Sequence, residues 1–169
     1  MKEENGRSME FIKPGSKHRR TLQRLLLLLA LAILIRRWVW MPAFIVGNSM
    51  LPTLRPGEIV GVNKLLFLLR PPHRGDVVAV WTGKELIIKR VLGLPGEYVA
   101  MRDGIVYVGG TPLAEPYVQF RGHRNIAPGR IGPGRFLLAG DNRPDTLIDI
   151  ANRERIVGRL SAHRRLPTQ

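Results

Sequence analysis

The sequence predicts a mostly β protein, an antiparallel β-sheet domain behind a short N-terminal membrane helix. Three observations carry this expectation. First, from Phe44 onward the apolar stretches are short and interrupted by Pro56-Gly57, Pro95-Gly96, Pro128-Gly129 and Pro133-Gly134. Each dipeptide matches a type II turn, where Pro fixes φ at the first central position and Gly accepts positive φ at the second. Second, Asp103-Gly104 sits between two strand-like runs and reads as a tight hairpin. Third, Leu25–Ile35 is a run of apolar residues without a break.

Taken in chain order, the N-terminal residues are basic. Lys2, Arg7, Lys13, Lys17, Arg19, Arg20 and Arg24 outnumber Glu3, Glu4 and Glu10. The apolar run after them would span about 16 Å as a helix, against roughly 30 Å of hydrocarbon. A second apolar run, Trp38–Val46, follows Arg36 and Arg37. Snorkelling arginines and interfacial Trp38 and Trp40 would extend the segment to a short uncleaved anchor. A cleaved secretory signal lacks a small-x-small site close behind, and a buried soluble helix would need cover on all sides. The basic excess ahead of the run favours the N-terminus inside and the body outside, and Arg36 and Arg37 oppose that orientation.

In the body the expected strands are Glu58–Val62, Asp76–Trp81, Glu85–Leu92, Tyr98–Arg102, Ile105–Val108, Tyr117–Phe120, Arg135–Ala139 and Ile156–Leu160. Lys64–Leu69 reads as a short helix or strand. Arg121–Arg135, rich in Gly, Pro and Arg, reads as a mobile loop. The 169 residues suit one domain plus a tail or anchor. The net charge of +14 fits a solvated, Arg-rich surface or contact with anionic headgroups. No nucleic-acid-binding motif accompanies it. The absence of cysteine excludes disulfide and thiol chemistry. No cluster has metal-ligand spacing and no Gly-rich loop suits phosphate, so no metal and no cofactor are expected.

Two residues carry the chemistry. Ser49 lies in the turn-rich Gly47-Asn48-Ser49-Met50-Leu51-Pro52, and Lys89 lies in the apolar run Leu86-Ile87-Ile88-Lys89-Arg90-Val91. Taken singly, such a serine is a turn residue and such a lysine is solvated or paired. Together they suit a hydrolase that uses an amine as its base. None of His18, His73, His123 and His163 sits in a segment resembling a Ser-His-Asp site. A lysine serves as base only when neutral, and burial in apolar surroundings favours that form. By period two, Lys89 and Arg90 lie on opposite strand faces, so alternation leaves open which points inward. Arg does not deprotonate in proteins, so of the two only Lys89 can be a base.

Four blocks then occur in order: Ser49-Met50-Leu51-Pro52-Thr53-Leu54, Arg74-Gly75-Asp76-Val77-Val78, Lys89-Arg90-Val91-Leu92-Gly93-Leu94-Pro95-Gly96-Glu97 and Gly140-Asp141-Asn142-Arg143. Together they resemble the blocks of bacterial type I signal peptidases, membrane-anchored serine proteases that cut signal peptides from exported proteins. The resemblance runs from about Arg36 to Gly158. It implies a barrel-like catalytic β domain at residues 42–169, a membrane anchor at 25–41 and a basic cytoplasmic tail at 1–24. The chain would cross the cytoplasmic membrane of a bacterium once, with the catalytic domain outside. Its partners would be exported preproteins with signal peptides and the lipid bilayer, with no nucleic acid. The oligomeric state is unknown from sequence.

The same resemblance implies Ser49 as nucleophile, with its backbone N–H donating to the oxyanion, and Lys89 as base. It places the substrate-binding wall at Phe44, Ile45, Val46, Gly47, Ile87 and Ile88, with Met50 nearby. Two departures stand out. Many relatives carry a Ser two residues before the nucleophile, where this chain has Gly47. After Asn142 and Arg143 the segment Pro144–Gly158 is longer than usual and lacks the Ser that normally bonds the lysine. Thr146 is the expected substitute for positioning Lys89, and Asp149 with Arg153 or Arg155 the expected structural ion pair. Asp141, Asn142 and Arg143 are read as turn-forming and structural. The alternatives are a specialised Ser/Lys processing protease of pilin or conjugation type, a self-cleaving Ser/Lys repressor, and a catalytically impaired membrane-bound homologue.

Overall fold

The computed structural model describes residues 16–161. Most of the basic N-terminal tail and His163 lie outside the described residues. Contacts divide the chain into two compact units, Met1–Arg37 and Trp38–Gln169.

The helix α1 (Ser16–Val39), 24 residues long, lies in the first unit except for its last two residues. The leucines and isoleucines from Leu22 to Ile35 are each more than half exposed. The helix nevertheless corrects the expected membrane anchor. Among the described residues, no helix is long and apolar enough to cross a membrane. The reason is the placement of charge. Arg24 and the Arg36-Arg37 pair bracket the apolar run so closely that every 18-residue stretch of α1 contains at least three Lys or Arg. A charged residue at bilayer depth is costly, and snorkelling relieves it only near the ends of a span. The single-pass topology, with a tail inside and a body outside, loses its basis with the anchor.

The second unit is antiparallel throughout. A seven-stranded sheet has the order β1-β2-β11-β3-β4-β9-β10, and a four-stranded sheet the order β7-β6-β5-β8. Their ranges are β1 Trp40–Phe44, β2 Ile59–Asn63, β3 Val77–Trp81, β4 Leu86–Gly93, β5 Tyr98–Arg102, β6 Ile105–Val108, β7 Thr111–Pro112, β8 Ile126–Arg130, β9 Arg135–Ala139, β10 Asp149–Asn152 and β11 Ile156–Leu160. A short helix, α2, spans Leu66–Leu69. The large sheet ends at β1 and β10, so it is open, and the barrel-like closure is corrected too.

Turn chemistry sets much of this layout. Gly57, Gly96 and Gly134 take φ of 89°, 86° and 66°, as the Pro-Gly turns require. Asp103 and Gly104 both have positive φ, and the hairpin β5–β6 forms around them. Pro128-Gly129 behaves differently. It lies inside β8, within the segment expected to be a loop. There the ladder to β5 shifts register between Val99 and Met101, and β8 is an edge strand, where a missing N–H is tolerated. Tyr117–Phe120 is not a strand, because the chain turns after Pro116 with the Val118 N–H on the Glu115 carbonyl at 3.1 Å.

β4 lies between β3 and β9, and both its faces are covered. Ile88 joins a core cluster with Ile45, Met50, Leu54 and Ala79. On the other face, Val91 joins Val78, Val80, Phe136 and Leu138, with Ile87 packed against them. Leu92 reaches a third cluster with Val99 and Met101 of β5, tying the two sheets together.

Candidate active site

The segment after β1 is pinned at both ends. Ile45 N–H donates to the Glu58 carbonyl at 3.0 Å, and Gly57 N–H donates back to the Ile45 carbonyl at 2.7 Å. Between them, Leu51 N–H bonds the Asn48 carbonyl at 3.1 Å and Leu54 N–H the Met50 carbonyl at 2.9 Å. The Leu51-Pro52 bond is cis. Met50 and Leu54 are buried in the core and act as anchors. Ser49 is half-buried, held on a turn between exposed Asn48 and buried Met50.

Gly140, directly after β9, meets this turn. A Cβ at Gly140 would lie 2.1 Å from the Ser49 carbonyl oxygen and 2.7 Å from Thr146 Oγ1, so only glycine fits. Asn142 adds two bonds, its N–H to the Ser49 carbonyl at 3.0 Å and Nδ2 to the Asn48 carbonyl at 3.2 Å. Its Nδ2 also donates to Asp145 at 2.9 Å.

Lys89 arrives from β4. It is only 5% exposed, and it shares a strand face with Ile87 and Val91. Its Nζ donates to Thr146 Oγ1 at 2.5 Å and to no other group among the described residues. Gly140 N–H donates to the same oxygen at 2.9 Å, and the Thr146 hydroxyl donates to the Leu147 carbonyl at 3.2 Å. A hydroxyl has two acceptor sites and one proton, and all three are now assigned. Ser49 and Lys89 are therefore linked through Gly140 and Thr146 rather than by a hydrogen bond of their own. Burial lowers the pKa of Lys89 below the ordinary 10.5, and the Asp149 charge opposes that shift in part.

Arg90 is buried as well, which is why alternation could not choose between the two cations. It grips Asp141 with two bonds, Nε to Oδ1 at 2.8 Å and Nη2 to Oδ2 at 2.6 Å. Thr53 donates its hydroxyl to the same carboxylate, tying the Ser49 segment to Asp141. Arg143 is buried and bonds the Gly140 carbonyl at 3.1 Å. Asp149 pairs with Arg155 at 2.8 Å, whereas Arg153 bonds the Ile156 and Phe67 carbonyls.

The wall residues separate into two groups. Phe44, Val46 and Gly47 are exposed, while Ile45, Met50 and Ile88 are core and Ile87 is half-buried. β1 pairs only with β2, so its other edge is unpaired among the described residues. Sequence reasoning missed Thr53, Glu115 and Tyr117, and the contacts that Arg90 and Gly140 make. Nothing local marks them. The available signal was charge balance, since buried Arg90 and Arg143 require acidic partners. Among the described residues no His/Cys/Asp/Glu group is placed to hold a metal ion.

Comparison with known proteins identifies the family. The family described as "Signal peptidase, peptidase S26" matches residues 18–160. The probable signal peptidase I-1 of a Synechocystis species is 38% identical over 130 residues, covering 70% of this chain and 66% of that protein. The signal peptidase I T of Bacillus subtilis is 33% identical, covering 76% and 75%. A signal peptidase I of Bacillus amyloliquefaciens is 32% identical, covering 79% and 78%. A match that spans the Ser49 turn, β4 and the Gly140–Arg143 loop together places this chain in the signal peptidase family, peptidase S26.

Proposed function

We propose that this chain is an endopeptidase that removes N-terminal signal peptides from exported preproteins by acyl transfer, with Ser49 as nucleophile and Lys89 as general base. The observation that carries the reading is the buried Lys89 amine, held by Thr146 beside the one glycine that also touches Ser49. Thr146 uses both acceptor sites on Lys89 and Gly140 and its proton on Leu147. It has no proton left for the amine, so the lone pair of neutral Lys89 remains free to take one from Ser49. Catalytic hydrogen bonds commonly tighten only in the substrate complex.

In the proposed cycle, Lys89 takes the hydroxyl proton as Ser49 Oγ attacks the scissile carbonyl carbon. The carbonyl oxygen becomes an oxyanion, facing the Ser49 N–H. Collapse breaks the C–N bond, and the proton passes from Lys89 to the departing amine. Lys89 then takes a proton from water, whose oxygen attacks the acyl-serine, and returns it to Ser49 as the ester breaks. The edge of β1 that is unpaired among the described residues, with the exposed Phe44, Val46 and Gly47, suits an extended substrate added as a strand. Gly47 supplies no hydroxyl, so the backbone donor carries the oxyanion.

α1 is a single continuous helix, not the helix-turn-helix a self-cleaving repressor requires. The contact between Thr146 and Lys89 favours an active enzyme over an impaired homologue. The test is cleavage of a reporter precursor with alanines one and three residues before the cut. Wild type is expected to cleave it, and Ser49→Ala and Lys89→Ala are expected not to. Cleavage by either variant at the wild-type rate overturns the assignment.

A further inference from the structure

A buried charged cluster also bonds Gly140 and Asp141. Arg143 has a side chain only 1% exposed, and each of its donor groups is used. Nε bonds the Gly140 carbonyl at 3.1 Å, Nη1 the Gly104 carbonyl at 3.0 Å, and Nη2 the Glu115 carboxylate. The same Glu115 oxygen accepts the Tyr117 hydroxyl at 3.0 Å. The Tyr117 ring lies under the Arg90 guanidinium, 3.9 Å from its carbon to the ring centroid. Arg90 in turn holds Asp141. Glu115 and Tyr117 thus brace the two arginines that grip Gly140 and Asp141, while the Gly140 N–H holds the hydroxyl that holds Lys89.

We propose that Glu115 and Tyr117 are positioning residues for the peptidase reaction, fixing Gly140 through its carbonyl and, through the N–H of the same residue, the Thr146–Lys89 contact. The proposal rests on the Ser49/Lys89 reading. Leaving a buried cation unpaired is strongly unfavourable, so buried Arg143 needs an acidic partner, and Glu115 supplies it from the connection between β7 and β8. The cluster converges on Gly140 and Asp141, and Gly140 is the residue whose carbonyl accepts from Arg143, whose N–H holds Thr146 and which packs against the Ser49 carbonyl. Burial, and then the Glu115 charge, push the Tyr117 phenol well above its ordinary range, so it remains a protonated donor while the protein is folded.

The experiment measures kcat and KM separately on the full-length chain, with folding checked by circular dichroism. Tyr117→Phe keeps the ring over Arg90 and removes only the donor. Tyr117→Leu removes both. Tyr107→Leu is the control, because it removes another Arg–aromatic contact, 5.7 Å to Arg102, in the four-stranded sheet away from the site. The expected result is a fall in kcat of about two- to tenfold for Tyr117→Phe and more than about tenfold for Tyr117→Leu. KM is expected to stay at the wild-type value, and Tyr107→Leu to keep the wild-type kcat. Wild-type kcat in Tyr117→Phe, or a fall in Tyr107→Leu equal to that in Tyr117→Leu, overturns the proposal. Tyr117→Phe decides the matter even if Tyr117→Leu does not fold. Parallel Ser49→Ala and Lys89→Ala arms separate the two failures. Activity in either removes the underlying reading and the proposal with it, whereas inactive dyad variants beside a fully active Tyr117→Phe remove the positioning role alone.

Discussion

Removing the Thr146 hydroxyl while keeping its shape isolates the contact that organises the site. Thr146→Val is the perturbation, at a residue only 2% exposed. Three bonds are lost, and they do not count equally. The Gly140 N–H is buried and loses its acceptor, at a cost of about 1–3 kcal/mol. The Lys89 amine is also buried and loses its only acceptor among the described residues, at a similar cost of about 1–3 kcal/mol. The Leu147 carbonyl belongs to an exposed residue and can bond water instead. A total of roughly 2–6 kcal/mol lowers the melting temperature by on the order of 5–20 °C for a domain of this size. The loss of positioning lowers kcat by about 10–100-fold. Thr146→Ser keeps the oxygen and is expected to stay close to wild type in both respects. Cleavage of the reporter precursor is measured at a temperature where all three proteins are folded by circular dichroism. A Thr146→Val kcat within about twofold of Thr146→Ser refutes the reasoning, since that is less than one ordinary hydrogen bond.

Three further predictions concern charge and backbone. Burial holds the Lys89 pKa below the 10.5 of an ordinary lysine, so between those two values the unfolded chain binds the extra proton and stability rises with pH. Lys89→Met is therefore expected to be inactive yet more stable than wild type at pH 7, by thermal melting, with the gain shrinking toward pH 10.5. Asp149 raises the Lys89 value, so Asp149→Asn is expected to move the rising limb of the kcat/KM–pH profile to lower pH; no movement, or movement upward, contradicts the assigned sign. Gly47 has open space at its Cβ position and no left-handed φ, so Gly47→Ser is expected to fold normally and to raise kcat by about two- to tenfold if its hydroxyl reaches the oxyanion.

The parts of this protein legible in its sequence are those set by local chemistry. Pro56-Gly57, Pro95-Gly96, Pro133-Gly134 and Asp103-Gly104 impose their turns whatever packs around them, and the strands between them follow. Pro128-Gly129 carries the same letters but pairs as an edge strand, because the β5 ladder outweighs a weak turn preference. Trp40–Phe44 reads as membrane-seeking because it is apolar, yet its apolarity serves a strand whose inner face is core. The apolar run of α1 looked long enough with its flanks added, and the flanks are where the arginines are. Within the site, Ser49 and Lys89 are singled out by the resemblance of the four ordered blocks, since taken singly the serine reads as a turn residue and the lysine as solvated or paired. The roles of Gly140 and Glu115 depend on approaches between segments distant in the chain, and no local pattern records those.

The proton affinity of the Lys89 amine tests the central claim most directly. Lysine labelled with 13C at Cε, followed by NMR titration in wild type and assigned by its absence in Lys89→Met, gives the midpoint for this one group. The account predicts a midpoint below 10.5 that coincides with the rising limb of kcat/KM. A Lys89 midpoint at or above 10.5, or a rate profile that ignores it, contradicts the account.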